Sequence, residues 1–254
     1  MSALTIAVIV LVCVFGGALI GMFLGSRLPQ HHLSADSKDV VKLGIGVIAT
    51  MAALVLGLLV SSAKGTFDKM SDELTLTGVK VVQVDRTLAQ YGPEAKEVRG
   101  HLRKEYQAVV DALFSNDPSQ FARFRSRNAG GAVENFQTLL HALAPRSDEQ
   151  RELRSRALAF AEDVGAIRWM LVLQEHDSVS APLLVVVVTW LSLIFVGFGL
   201  YSPRNGTVAA ALFLGALCVA GAIFLILELD SPLNGIVRIS DAPMRAALAL
   251  LPAN

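Results

Sequence analysis

The sequence predicts an all-α membrane protein, with four transmembrane helices and a helical-bundle domain inserted between the second and the third. Three observations lead there. Ala3 to Gly25, Leu43 to Ala63, Ala181 to Tyr201 and Thr207 to Leu227 are apolar runs without a single Asp, Glu, Lys or Arg. Each is about 20 residues long, enough to cross roughly 30 Å of hydrocarbon at 1.5 Å per residue. The 22 acidic and 22 basic side chains lie between these runs and cancel to a net charge of zero, which leaves no basic surface for nucleic acid. No segment alternates apolar and polar residues in the manner of a strand.

Residues 1–63 accordingly hold the first two spans (about 3–25 and 43–63) and 64–180 the soluble helical domain. Residues 181–228 hold the third and fourth spans (about 181–201 and 207–227), and 229–254 form a C-terminal motif and tail. The first run has no basic segment before it, and Gly25-Ser26-Arg27 is a poor cleavage site, so it reads as a retained span rather than a signal peptide. Cys13 and Cys218 both fall inside apolar runs, where thiols are expected to behave as small buried hydrophobes and indicate neither a disulfide framework nor a metal site.

Within the domain, Leu102, Tyr106, Val109 and Leu113 recur at spacings of three and four, which predicts a helix ending near Asn116-Asp117-Pro118. A second stripe through Leu153, Ala157, Phe160, Val164, Ile167 and Leu171 runs toward the third span. Between them, Ser119 to Arg125 and Ala132 to Leu143 suggest short helices closed by Pro145. The Asn128-to-Gly131 segment reads as a turn, since no strand precedes it and no Gly-Lys-Ser/Thr follows. Four spans put both termini and the domain on one side. Near the span ends that side carries Lys64, Lys69, Lys80, Arg168, Arg238 and Arg245, against Arg27, Lys38, Lys42 and Arg204 on the other, which favours a cytoplasmic domain.

Three features are candidates for function. Gly17, Gly21 and Gly25 recur every four residues and strip one face of the first span, which is a helix-packing signal. The second span carries Gly44, Gly46, Thr50, Gly57, Ser61 and Ser62, and could line water or pack tightly. In it Thr50, Leu54 and Leu58 form a stripe about 12 Å long. That stripe is either an ordinary packing seam or, in a ring of subunits, a narrow apolar constriction that gates by dewetting. After the fourth span, Glu228, Asp230, Pro232, Asn234, Arg238, Asp241 and Pro243 imply a fixed non-helical backbone at the membrane boundary. Its carboxylates could cap and salt-bridge a turn or bind a cation.

The five histidines, His31, His32, His101, His141 and His176, have no ligand spacing, and Asp163 and Glu175 have no identifiable partner, so neither a metal site, a cofactor nor an enzyme is expected. The neighbouring His31 and His32 read as a solvated loop pair.

The run from Glu228 to Pro243 resembles the closing motif of the bacterial bestrophin-like membrane proteins. Gly57-Leu58-Leu59 followed by Phe67-Asp68 resembles that family's second-span pattern. The four-span layout and inserted domain extend the resemblance over nearly the whole chain. It implies a homo-oligomer, pentameric by similarity to true bestrophins, in a bacterial inner membrane. Thr50, Leu54 and Leu58 would then face the axis of a pore that passes small inorganic ions. Here the aromatic neck residues of true bestrophins are replaced by Thr and Leu, the basic-aromatic run is reduced to Lys64, Phe67 and Lys69, and the acidic calcium-binding run is missing. The resemblance therefore does not carry calcium gating or anion selectivity with it. The competing expectation is a non-conducting scaffold or sensor that recruits a partner through its domain.

Overall fold

A computed structural model describes residues 2–28, 35–115, 132–174, 181–233 and 235–252. Every regular element among them is helical: α1 (Ala3–Arg27), α2 (Ala35–Tyr91), α3 (Lys96–Leu113), α4 (Ala132–Ala142), α5 (Asp148–Gln174), α6 (Ala181–Leu200), α7 (Gly206–Leu229) and α8 (Ala242–Leu250). Four of them, α1, α2, α6 and α7, are long and apolar enough to cross a membrane. His31, His32, His176, Glu175, Asn128 to Gly131 and the helix expected at Ser119 to Arg125 lie outside the described residues.

Caps mark the span ends. Ser2 opens α1 by accepting the Thr5 N–H at 3.2 Å, and Asn205 opens α7 by accepting the Val208 N–H at 2.8 Å, each satisfying a donor that the helix itself cannot. Toward the other end of α1, the Arg204 guanidinium donates to Met22 O at 2.9 Å and to Phe23 O at 3.4 Å, placing a cation near the negative end of the helix dipole.

The chain divides into two compact units, residues 1–67 with 177–237, and residues 68–176 with 238–254. In the first, Val10, Val14 and Ala18 of α1 and Val187, Leu191 and Ile194 of α6 share a core with α7 and with Ala52, Leu59 and Ala63 of α2. In the second, α3 packs on α4 and α8, and α4 packs on α5.

Three elements depart from the expected outline. The helix that carries the second span continues past Ala63, because no proline interrupts it. Apolar residues keep recurring at Met70, Leu74, Val81, Val84 and Leu88, all buried, until Gly92 and Pro93 end it. Gly92 has φ 126°, a conformation open to glycine and costly for other residues. In α3 the buried stripe is Val98, Leu102, Tyr106 and Val110, so the fourth position falls on Val110, with Val109 only half-buried. The C-terminal tail is not wholly irregular: Asp241 and Pro243 start α8, where proline in the first turn removes an N–H that had no acceptor.

Candidate functional site

The residues singled out in the first span lie along the α1–α6 seam. A Cβ on Gly17 would stand 2.9 Å from Ser192 O, and on Gly21 and Gly25 it would run into Val196 O and Leu200 O. From the other side, Gly199 abuts Ala18 O. Backbone thus meets backbone with no side chain between, the close approach that small residues permit in membranes. Gly21→Val should therefore lower the thermal midpoint of the detergent-solubilised protein. Overpacking of this kind costs about 1–3 kcal/mol. Gly16→Val, whose new Cβ meets nothing within 4 Å, should leave the midpoint unchanged.

The second span behaves differently. Its positions facing the core of its own unit are Ile45, Ile48, Ala52, Leu56, Leu59 and Ala63, at the three- and four-residue spacing of one helix face. On the opposite face, Leu43 is 73% exposed, Leu54 66% and Leu58 70%, and Thr50, Gly57 and Ser61 are exposed as well. The apolar window of α2 is 11% buried, against 28%, 33% and 22% for α1, α6 and α7. Gly44, Gly46, Gly57 and Gly65 have nothing within 4 Å of where a Cβ would sit, unlike the seam glycines of α1. The Thr50 hydroxyl donates to Gly46 O at 2.9 Å, turning its polar hydrogen inward and leaving its methyl group to join the leucines. At the end of this stretch the Lys64 ammonium lies 5.5 Å from the Phe67 ring centre, a cation–π pair.

The motif after the fourth span is divided between the two units. In the first, Glu228 is buried, and its carboxylate accepts the Ile236 N–H and, at 3.2 Å, the Val237 N–H. A Cβ on Gly235 would stand 2.5 Å from Glu228 Oε2, so a larger residue there would push on the carboxylate around which the turn closes. Pro232 is buried in this turn, Asp230 is half-buried beside it, and Asn234 lies outside the described residues. In the second unit, Arg238 is exposed, Asp241 pairs with Arg245 one turn on, and Pro243 sits in the first turn of α8. Glu228 thus acts as a capping acceptor for backbone. Among the described residues, no three His, Cys, Asp or Glu side chains gather as metal ligands.

Three arrangements in the second unit were not anticipated. Asp163, expected to have no partner, accepts a hydrogen bond from the Lys80 ammonium at 2.7 Å, an ion pair between α2 and α5. Asp85, on the buried stripe of α2, receives both Arg99 Nε (2.8 Å) and Nη2 (2.9 Å) in a two-pronged ion pair. Its carboxylate holds the Arg99 guanidinium above its ordinary pKa, chiefly through the hydrogen bond. A carboxylate spaced in register with Val81, Val84 and Leu88 was the available signal. Tyr106, buried on α3, donates to Met244 O at 3.2 Å, and burial pushes its phenol pKa up, so it stays a donor.

The sequence pattern that describes the bestrophin-like domain matches residues 12–244. No curated protein and no solved structure matches the chain.

Proposed function

The chain belongs to the bestrophin-like family, and from that premise we propose that it is a homo-oligomeric ion channel, pentameric, with α2 of each subunit lining the pore. The observation that carries this reading is the bare face of α2. Its stripe of Leu43, Thr50, Leu54 and Leu58 is left exposed by the described residues of its own unit, although the three other spans of that unit pack together. Arranged about an axis, that face makes a dry constriction of threonine methyl groups and leucines, and conduction is passive, limited by the width and wetting of that ring. The mechanism needs no bound cofactor and no catalytic group. The soluble domain and both termini face the cytoplasm of a bacterial inner membrane, in keeping with the Lys and Arg bias.

Oligomeric symmetry tests the arrangement. A projection image of the purified protein should show five subunits around a central hole. A monomer, or a dimer without an axial path, would favour the scaffold reading instead, in which the soluble domain recruits a partner and the face of α2 meets lipid.

A further inference from the structure

We infer that the end of the first unit where α1 stops and α7 begins is a binding site for the phosphate of an anionic phospholipid, held by Arg27 and Arg204. The site stands whether or not α2 lines a pore.

Both guanidiniums are placed on one residue, Phe23. Arg204 donates from Nη2 to Phe23 O at 3.4 Å and to Met22 O at 2.9 Å, and from Nε to Met22 O at 3.2 Å. Arg27 lies over the Phe23 ring, 5.1 Å from its centre. Both side chains are exposed. A guanidinium has five N–H donors, so donors of each remain for a ligand. α7 starts at Gly206, just after Arg204, and the positive end of its dipole adds to the same place.

The chain sets little negative charge against this. It has no Asp or Glu from Met1 to Ala35 or from Ser178 to Leu227. The first acids of α2, Asp36 and Asp39, are accompanied by Lys38 and Lys42, and Lys42 lies 3.7 Å from Asp39. The excess positive charge is complementary to an external anion, and two planar guanidiniums suit the several oxygens of a phosphate. Arg204 is already ordered by the carbonyls it meets, so binding need not order it again.

The surface beside the arginines selects a lipid over free phosphate. Phe15 and Phe213 meet edge to face with ring centres 5.3 Å apart, which brings α1 alongside α7. Leu19 and Phe23 follow Phe15 at intervals of four on the same face of α1 and are 45% and 55% exposed, and Phe213 is 40% exposed. An acyl chain descending from a phosphate at Arg27 and Arg204 runs along this apolar strip. Phosphatidylglycerol, with one uncompensated negative charge, matches the pair; phosphatidylcholine carries its own cation and does not.

Lipid-dependent thermal stability of the full-length protein in detergent tests the site. Phosphatidylglycerol should raise the midpoint by about 3–8 °C and phosphatidylcholine by less than a third of that. Arg27→Gln removes a guanidinium that holds no backbone group, and should weaken phosphatidylglycerol binding about five- to tenfold, at least halving the shift at a fixed lipid concentration. Arg204→Lys keeps the charge but loses the fork, and should reduce the shift as well. Reading the shift rather than the midpoint itself separates lost binding from lost packing at the end of α1. Arg146→Gln, an exposed arginine of the second unit, should keep the full shift. Equal shifts from the two lipids, or a full phosphatidylglycerol shift in both Arg27→Gln and Arg204→Lys, overturn the site. The same stabilisation from inorganic phosphate alone overturns the lipid as its occupant.

Discussion

Replacing Leu54 and Leu58 together by alanine should raise the leak conductance of the reconstituted protein by about tenfold or more. Each substitution removes roughly three carbon groups, at about 0.8 kcal/mol of transfer free energy apiece, from a surface that in the proposed channel must wet before an ion can pass. A fall of about 1.4 kcal/mol in the barrier already gives a factor of ten, and in a ring every subunit contributes. Both side chains are two-thirds exposed in the isolated chain, so truncating them leaves little cavity and the subunit should fold as before. Leu59 is the internal control. It lies one residue from Leu58 but on the packed face, 5% exposed, so Leu59→Ala should lower stability by about 2–5 kcal/mol without opening a leak. Equal currents from wild type and the double variant would mean that this face of α2 looks into lipid.

The second large effect is expected in the second unit. Arg99→Ala should destabilise the protein by roughly 3–5 kcal/mol, because it leaves the Asp85 carboxylate, 2% exposed, without its guanidinium in a poorly hydrated interior. Replacing both partners, Asp85→Leu with Arg99→Met, should recover most of that loss, since a buried ion pair is often no more stabilising than packed apolar groups of similar volume. The midpoint of thermal unfolding in detergent, with hydrogen exchange across residues 81–102 to locate the change, reads both variants. A double variant as unstable as Arg99→Ala would show that the pair supplies more than mutual neutralisation. The two predictions separate cleanly, one altering permeation at constant stability and the other the reverse.

The contrast between these positions shows what could be read from the sequence. Four apolar runs were legible as spans because length and the exclusion of charge are local properties. So was the glycine face of α1, since Gly17, Gly21 and Gly25 mark themselves by spacing alone. Their partner was not. That Gly199 meets α1 from α6 depends on which helix lies alongside, which periodicity does not encode. Helix ends were harder. Beyond Ala63 the composition turns polar while the helix continues, because hydropathy marks where a bilayer could be and not where hydrogen bonding stops. α8 was missed, being short and held by Arg103, more than 130 residues away in sequence. At the candidate site the Thr50, Leu54, Leu58 stripe could be drawn from spacing. Whether its own chain covers it could not, and that difference is what separates a packing seam from an open face.

The glycines of the two spans therefore call for opposite treatment at the bench. On α1 Gly17, Gly21 and Gly25 admit nothing, and even a methyl group at Gly21 meets backbone. On α2, a Cβ at Gly44, Gly46, Gly57 or Gly65 meets nothing within 4 Å among the described residues, so each is a place to introduce a cysteine for a spectroscopic label. A label there reports on the surroundings alone. Broadening by a neighbouring label, quenching by a water-soluble agent or contact with a lipid-borne quencher would map, position by position, what each turn of the helix faces.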